Sequence, residues 1–162
     1  MTYKTWRETL LDAATSGTIG GAATAAAAAA CGARDSGSAI AAINAVSHIL
    51  WGSEASDVRV ADSKHTVSGL LLNAGASVFW ATIYERAFGD AADRGDVNKA
   101  FLGAGAVAAL AYVTDYHVVP KRLTPGWEER VSARSLAVIY AALALSLPLR
   151  GLSRYWTSRW QS

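Results

Sequence analysis

The chain has 162 residues, of which 52% are hydrophobic and only 17% charged. Soluble domains carry roughly 25% charged residues, so the balance disfavours a soluble globule and points to a membrane. A formal net charge of +2 with the signs interleaved leaves no basic stripe for nucleic acid, and the single Cys31 excludes an intramolecular disulfide and every multi-cysteine metal motif.

Five stretches contain no Asp, Glu, Lys or Arg: 13 to 33, 36 to 53, 65 to 84, 100 to 114 and 135 to 149. A soluble helix of such length needs a charged outer face, so these segments read as helices whose outer solvent is lipid. The fold expected is all-α: an integral membrane helical bundle of four full transmembrane helices plus a short second helix, 37 to 51, whose crossing its length leaves open. Spans are expected at 13–33, 37–51, 65–85, 99–119 and 134–150, in one domain covering 1–162, of bacterial inner-membrane type.

Residues 1 to 12 set Tyr3 and Trp6 beside Lys4 and Arg7, as in an amphipathic lead-in at headgroup level. Residues 13 to 33 are rich in Ala, which partitions weakly into lipid, so this helix needs neighbours. Gly17 and Gly21 form a GxxxG pair that lets another backbone come close. The run Ala28-Ala29-Ala30-Cys31 faintly resembles a lipoprotein cleavage box, but Glu8 and Asp12 interrupt the basic start such a signal requires. A retained first helix is the better reading.

The segment GSAIAAINAVSHILW, 37 to 51, barely matches the hydrocarbon thickness. Within it Asn44 and His48 stand four apart and share a face. The loop 52 to 64 is polar and belongs outside the membrane. The clearest span is 65 to 84, where helical spacing puts Gly69, Asn73, Ser77, Trp80 and Tyr84 on one face, expected to look inward. A turn-like loop, 88 to 99, follows.

The next span ends at Pro120-Lys121-Arg122. Asp115 shares a face with Phe101, Ala104, Ala108, Ala111 and Tyr112, while His117 lies roughly 200° away on a regular helix. Thr124-Pro125-Gly126 signals a turn before the last span, and the tail sets Tyr155, Trp156 and Trp160 among Arg150, Arg154 and Arg159, a pattern of interfacial anchoring. Lys and Arg divide eight to seven across the membrane for four or five crossings alike, so the positive-inside bias does not orient the chain.

Threading the spans puts His65 at the depth of Asp115 and His117, with His48 nearby. That layer is the candidate polar site. Its plainest role is to lock helix ends by hydrogen bonds, with no cofactor. The alternatives are a metal or haem site formed by His48, His65, Asp115 and His117, or a small-solute or proton path through Asn44, Asn73, Glu85 and Tyr112. No HExxH, GxSxG, phosphate-loop or dinucleotide-binding motif is present, and the Gly103-Ala104-Gly105 run sits in an apolar helix as packing. The functional expectation is a structural or interaction role in the bilayer, as an accessory subunit of a larger membrane complex or as a homo-oligomer.

Overall fold

The computed structural model describes residues 4–161, and every regular element among them is helical. Tyr3 of the expected lead-in lies outside the described residues. In chain order the elements are α1 (Trp6–Ser36), α2 (Ala39–Ala45), α3 (His48–Trp51), α4 (Ser68–Ala87), α5 (Gly89–Asp93), α6 (Val97–Val113), α7 (Ala133–Ser146) and α8 (Leu149–Trp160). Wide π turns, Ser63–Val67 and Thr114–Val118, precede α4 and prolong α6.

Helix α1 is fixed at both ends by local chemistry. Thr5 and Glu8 form a reciprocal capping box, and Gly37 closes the helix in the left-handed region at φ 71°, its N–H bonding Gly32 O. The 31 residues extend about 46 Å at 1.5 Å each, longer than a bilayer core. Residues 6 to 12 are therefore the first turns of α1 itself, where the sequence suggested a separate surface segment.

Among the described residues three helices are long and apolar enough to cross a membrane: Ser63–Ala87, Val97–Val118 and Ala133–Trp160. Only 28% and 33% of the apolar windows of the first two are buried, so most of their apolar surface faces outward. Leu71 and Phe79 on the first and Leu102 on the second are exposed, as is Leu145 on the third, as expected of a lipid-facing belt. The inward face of α4 is the one that spacing indicated: Gly69, Asn73, Ser77, Trp80 and Tyr84 are buried.

The segment 37 to 51 does not form one helix. It breaks after Ala45 into α2 and α3, of seven and four residues, and even end to end they reach about 17 Å, far short of about 30 Å of hydrocarbon. The break has a cause in the side chains. Asn44 is turned away into the 58–66 loop, donating to Val58 O at 2.8 Å and accepting from Thr66 Oγ1 at 2.7 Å, while Ser47 Oγ caps Asn44 O at 2.7 Å.

Helix α1 packs most extensively on α4, then on α7 and α2. A Cβ added at Gly17 would stand 2.5 Å from Val78 Cα, and one at Gly69 would stand 2.5 Å from Ile43 O. The missing side chains thus let backbone meet backbone, where dispersion contacts are densest. At one end the start of α1, α5 and α8 converge; at the other the end of α1 meets the start of α7 through Asp35, which accepts from Ser132 N at 2.8 Å and from the Ser135 hydroxyl.

Candidate functional site

The strongest polar assembly lies at the end where α1, α4, α5 and α8 meet, away from the histidines. Glu85, in the last turn of α4, is 1% exposed. Arg150 grips it with both arms of the guanidinium, Nε to Oε1 at 3.0 Å and Nη2 to Oε2 at 2.9 Å. Lys4 Nζ donates to Oε2 at 2.8 Å and Ser16 Oγ donates to Oε1. Asp12 and Asp93 complete the group: Lys4 lies 2.8 Å from Asp12 and 2.7 Å from Asp93, and Arg150 lies 3.1 Å and 3.0 Å from them.

The assembly sets two cations against three carboxylates, so formal charge nearly cancels where desolvation is costly. Burial works against the Lys4 ammonium, yet hydrogen bonds to Asp12, Asp93 and Glu85 outweigh it and hold its pKa above the ordinary lysine value. Two glycines make the room. A Cβ at Gly89 would fall 2.2 Å from Glu85 Oε2, and one at Gly151 would fall 2.6 Å from the Ala92 methyl.

The sequence offers Glu85 as a polar station; in the structure it is a helix-end charge whose cationic partners, Lys4 and Arg150, come from opposite ends of the chain. Arg86 packs its guanidinium over the Trp6 ring, 5.3 Å from the centroid. The sequence pattern sets Lys4 and Arg150 at headgroup level; the structure turns both inward. A usable signal existed, because Lys4, Arg150 and the loop after Glu85 lie on one side in the four-crossing threading.

At the opposite end the four candidate metal ligands are not gathered. Among the described residues no group of three His, Cys, Asp or Glu side chains could hold a metal. Buried His48 points Nδ1 at Ala45 O, 2.9 Å away, and Nε2 toward Lys121 O at 3.4 Å, so neither nitrogen faces another candidate. His65 pairs through Nδ1 with Asp62 at 2.8 Å, and that hydrogen bond leads the interactions that hold the Asp62 carboxyl below its usual range. His117 is exposed, its ring against Tyr112 at 5.7 Å.

Asp115 does turn inward, as its face predicted, and accepts from Tyr140 Oη at 2.6 Å. Tyr112, expected on that face, is 38% exposed and meets Tyr116 and Tyr140 only by its ring. Asn73 is a structural tie: Nδ2 donates to Gly21 O at 2.8 Å and Oδ1 accepts from Thr24 at 3.1 Å, joining α4 to α1 in mid-bundle. The sequence missed Tyr140 and Trp127, which close over Asp115 from α7 and from the 127–129 turn. Nothing in their local spacing marks them, since Tyr140 is one aromatic among apolar neighbours and Trp127 stands alone in a polar loop before Glu128 and Glu129.

At both polar ends the oxygens and nitrogens named above are mostly paired with one another. Compared with protein-family models, curated proteins and solved structures, the chain matches none.

Proposed function

We propose that this chain is a four-crossing integral membrane protein with a structural role, packing in the bilayer against a second copy of itself or within a larger membrane complex. The fourth crossing is α1, long enough and paired lengthwise with α4. Its alanine content lowers its hydropathy without adding charge.

The observation that carries the interaction role is a pair of outward-facing glycines in the apolar belt. A Cβ at Gly75 or Gly105 would meet nothing within 4 Å. Gly105 opens a groove of roughly 420 Å³ between α6 and α7, floored by Ala109, Ala137 and Ala141. Glycine in a helix costs roughly 0.5 to 1 kcal/mol relative to alanine; inside the bundle close packing offsets that cost, and on the outer face a neighbouring transmembrane helix would do the same.

The test is association in mild detergent and in dilute vesicles. The unaltered chain is expected as an oligomer or with a stable co-purifying subunit, and Gly105→Leu, which fills the groove, is expected to release it as a folded monomer. A lone monomer under both conditions would defeat the proposal.

A further inference from the structure

A second cavity, of roughly 50 Å³, lies in the bundle beneath the 125–127 turn. Thr24, Asn73, Ser77, Asp115, Trp127 and Tyr140 supply its polar lining. The volume exceeds the roughly 10 to 15 Å³ that a single water requires, so at least one water fits. Trp127 is 6% exposed and its Nε1 has no hydrogen-bond partner. A buried donor of this kind costs about 1 to 3 kcal/mol unless something accepts its proton. Asp115 supplies the complementary group: only Tyr140 hydrogen bonds to it, and among the described residues no cation pairs with it.

We propose that this cavity is a hydrated proton-binding site in which water bridges the Trp127 indole N–H to the Asp115 carboxyl, and Asp115 exchanges one proton with the adjacent aqueous face. An ionisable group within a membrane bundle that lacks a counter-charge marks such relays. The way out lies on the side of the 119–132 loop. Tyr116, whose hydroxyl is buried without a partner, stands with Glu128 along a larger pocket that also reaches Lys121. Uptake forms one O–H bond on Asp115 and turns one hydronium into water; release reverses both.

The titratable groups facing Asp115 are Tyr140 from α7, Glu128 from the 127–129 turn and Tyr116 from its own π turn. From α1 and α4 it meets only the neutral Thr24, Asn73 and Ser77 around the cavity. Trp80, Ile139 and Leu143, which also line the cavity, carry no carboxyl or imidazole to pass a proton on, and the exchange proposed is therefore one-sided.

Infrared difference spectra of the whole protein in lipid vesicles, recorded on acidification in H2O and D2O, test this. A protonated-carboxyl band is expected to grow as pH falls, to shift down in D2O and to vanish in Asp115→Asn. In Trp127→Phe the carboxylate loses its bridged donor, and the midpoint is expected to rise by about one pH unit. An unchanged band in Asp115→Asn, or an unmoved midpoint in Trp127→Phe, overturns the proposal. Should Asp115→Asn fail to fold, the Trp127→Phe midpoint decides alone.

Discussion

Arg150 and Glu85 face each other across the α8–α4 junction through two parallel hydrogen bonds of 3.0 and 2.9 Å, although 65 positions separate them in the chain. Neither pair member is expendable, but the two are not equivalent. Removing Arg150 leaves three carboxylates against one ammonium around a group that is 1% exposed, whereas removing the Glu85 charge leaves two cations against Asp12 and Asp93, both with some solvent access. Arg150→Met should therefore cost about 3 to 5 kcal/mol, as for a buried charge stripped of its partner, and Glu85→Gln about 1 to 3 kcal/mol. Unfolding by denaturing detergent, read by circular dichroism, checks the order. Equal losses would show that the charge balance does not govern the site.

The glycines give a second, internal contrast. A Cβ on Gly17 collides with Val78 backbone, which cannot rotate away, so Gly17→Ala must push α1 and α4 apart. Overpacking of this kind costs about 1 to 3 kcal/mol. Gly75→Ala meets open space and should raise monomer stability by roughly 0.5 to 1 kcal/mol through helix propensity. Melting temperatures of the two variants in one detergent should move in opposite directions.

How much of this was legible beforehand depends on the range of the interaction. Burial of α4 through Gly69, Asn73, Ser77, Trp80 and Tyr84 followed from helical spacing alone, because lipid and packing sort side chains along one element. The Thr5–Glu8 box and the Gly37 stop are likewise local. The ionic cluster was not readable in this way. Lys4, Asp12, Glu85, Asp93 and Arg150 come from four helices and the chain preceding the first, and single-helix periodicity says nothing about which charged ends turn inward. The histidine layer failed for a related reason. Depth fixes one coordinate only, and His48, His65 and His117 spend their rings on carbonyls, on Asp62 and on Tyr112.

Strong acid should loosen the opposite end of the bundle. Asp35 accepts from Arg34, from the Ser135 hydroxyl and from the Ser132 N–H at the start of α7. The Arg34 guanidinium beside it, with these bonds, holds its carboxyl well below the usual carboxylate range. A depressed pKa contributes stability that is complete above the unfolded value near 3.9 and is lost as pH falls through the folded value. Hydrogen exchange at the first turn of α7 should therefore accelerate only in strong acid, and Asp35→Asn should show faster exchange already at neutral pH without the acid dependence. A variant that kept the acid-dependent step would place its origin in another carboxylate.

The turn that roofs the interior cavity offers the most local prediction. Gly126 sits at φ 77°, a region that favours glycine, and a Cβ there would stand 2.7 Å from Ala45 O and 2.8 Å from His48 Nδ1. Gly126→Ala thus combines an unfavourable backbone region, about 1 kcal/mol or more, with a clash against the carbonyl that His48 already engages. The 125–127 turn must lift, carrying Trp127 away from Tyr140, whose rings now meet edge to face at 6.2 Å. Tryptophan fluorescence reports this directly, since Trp127, now buried, should become exposed to bulk solvent and its emission should move to longer wavelength. Trp127→Phe in the same background should abolish that component of the shift, and if the shift survived, the displaced residue would be another of the six tryptophans.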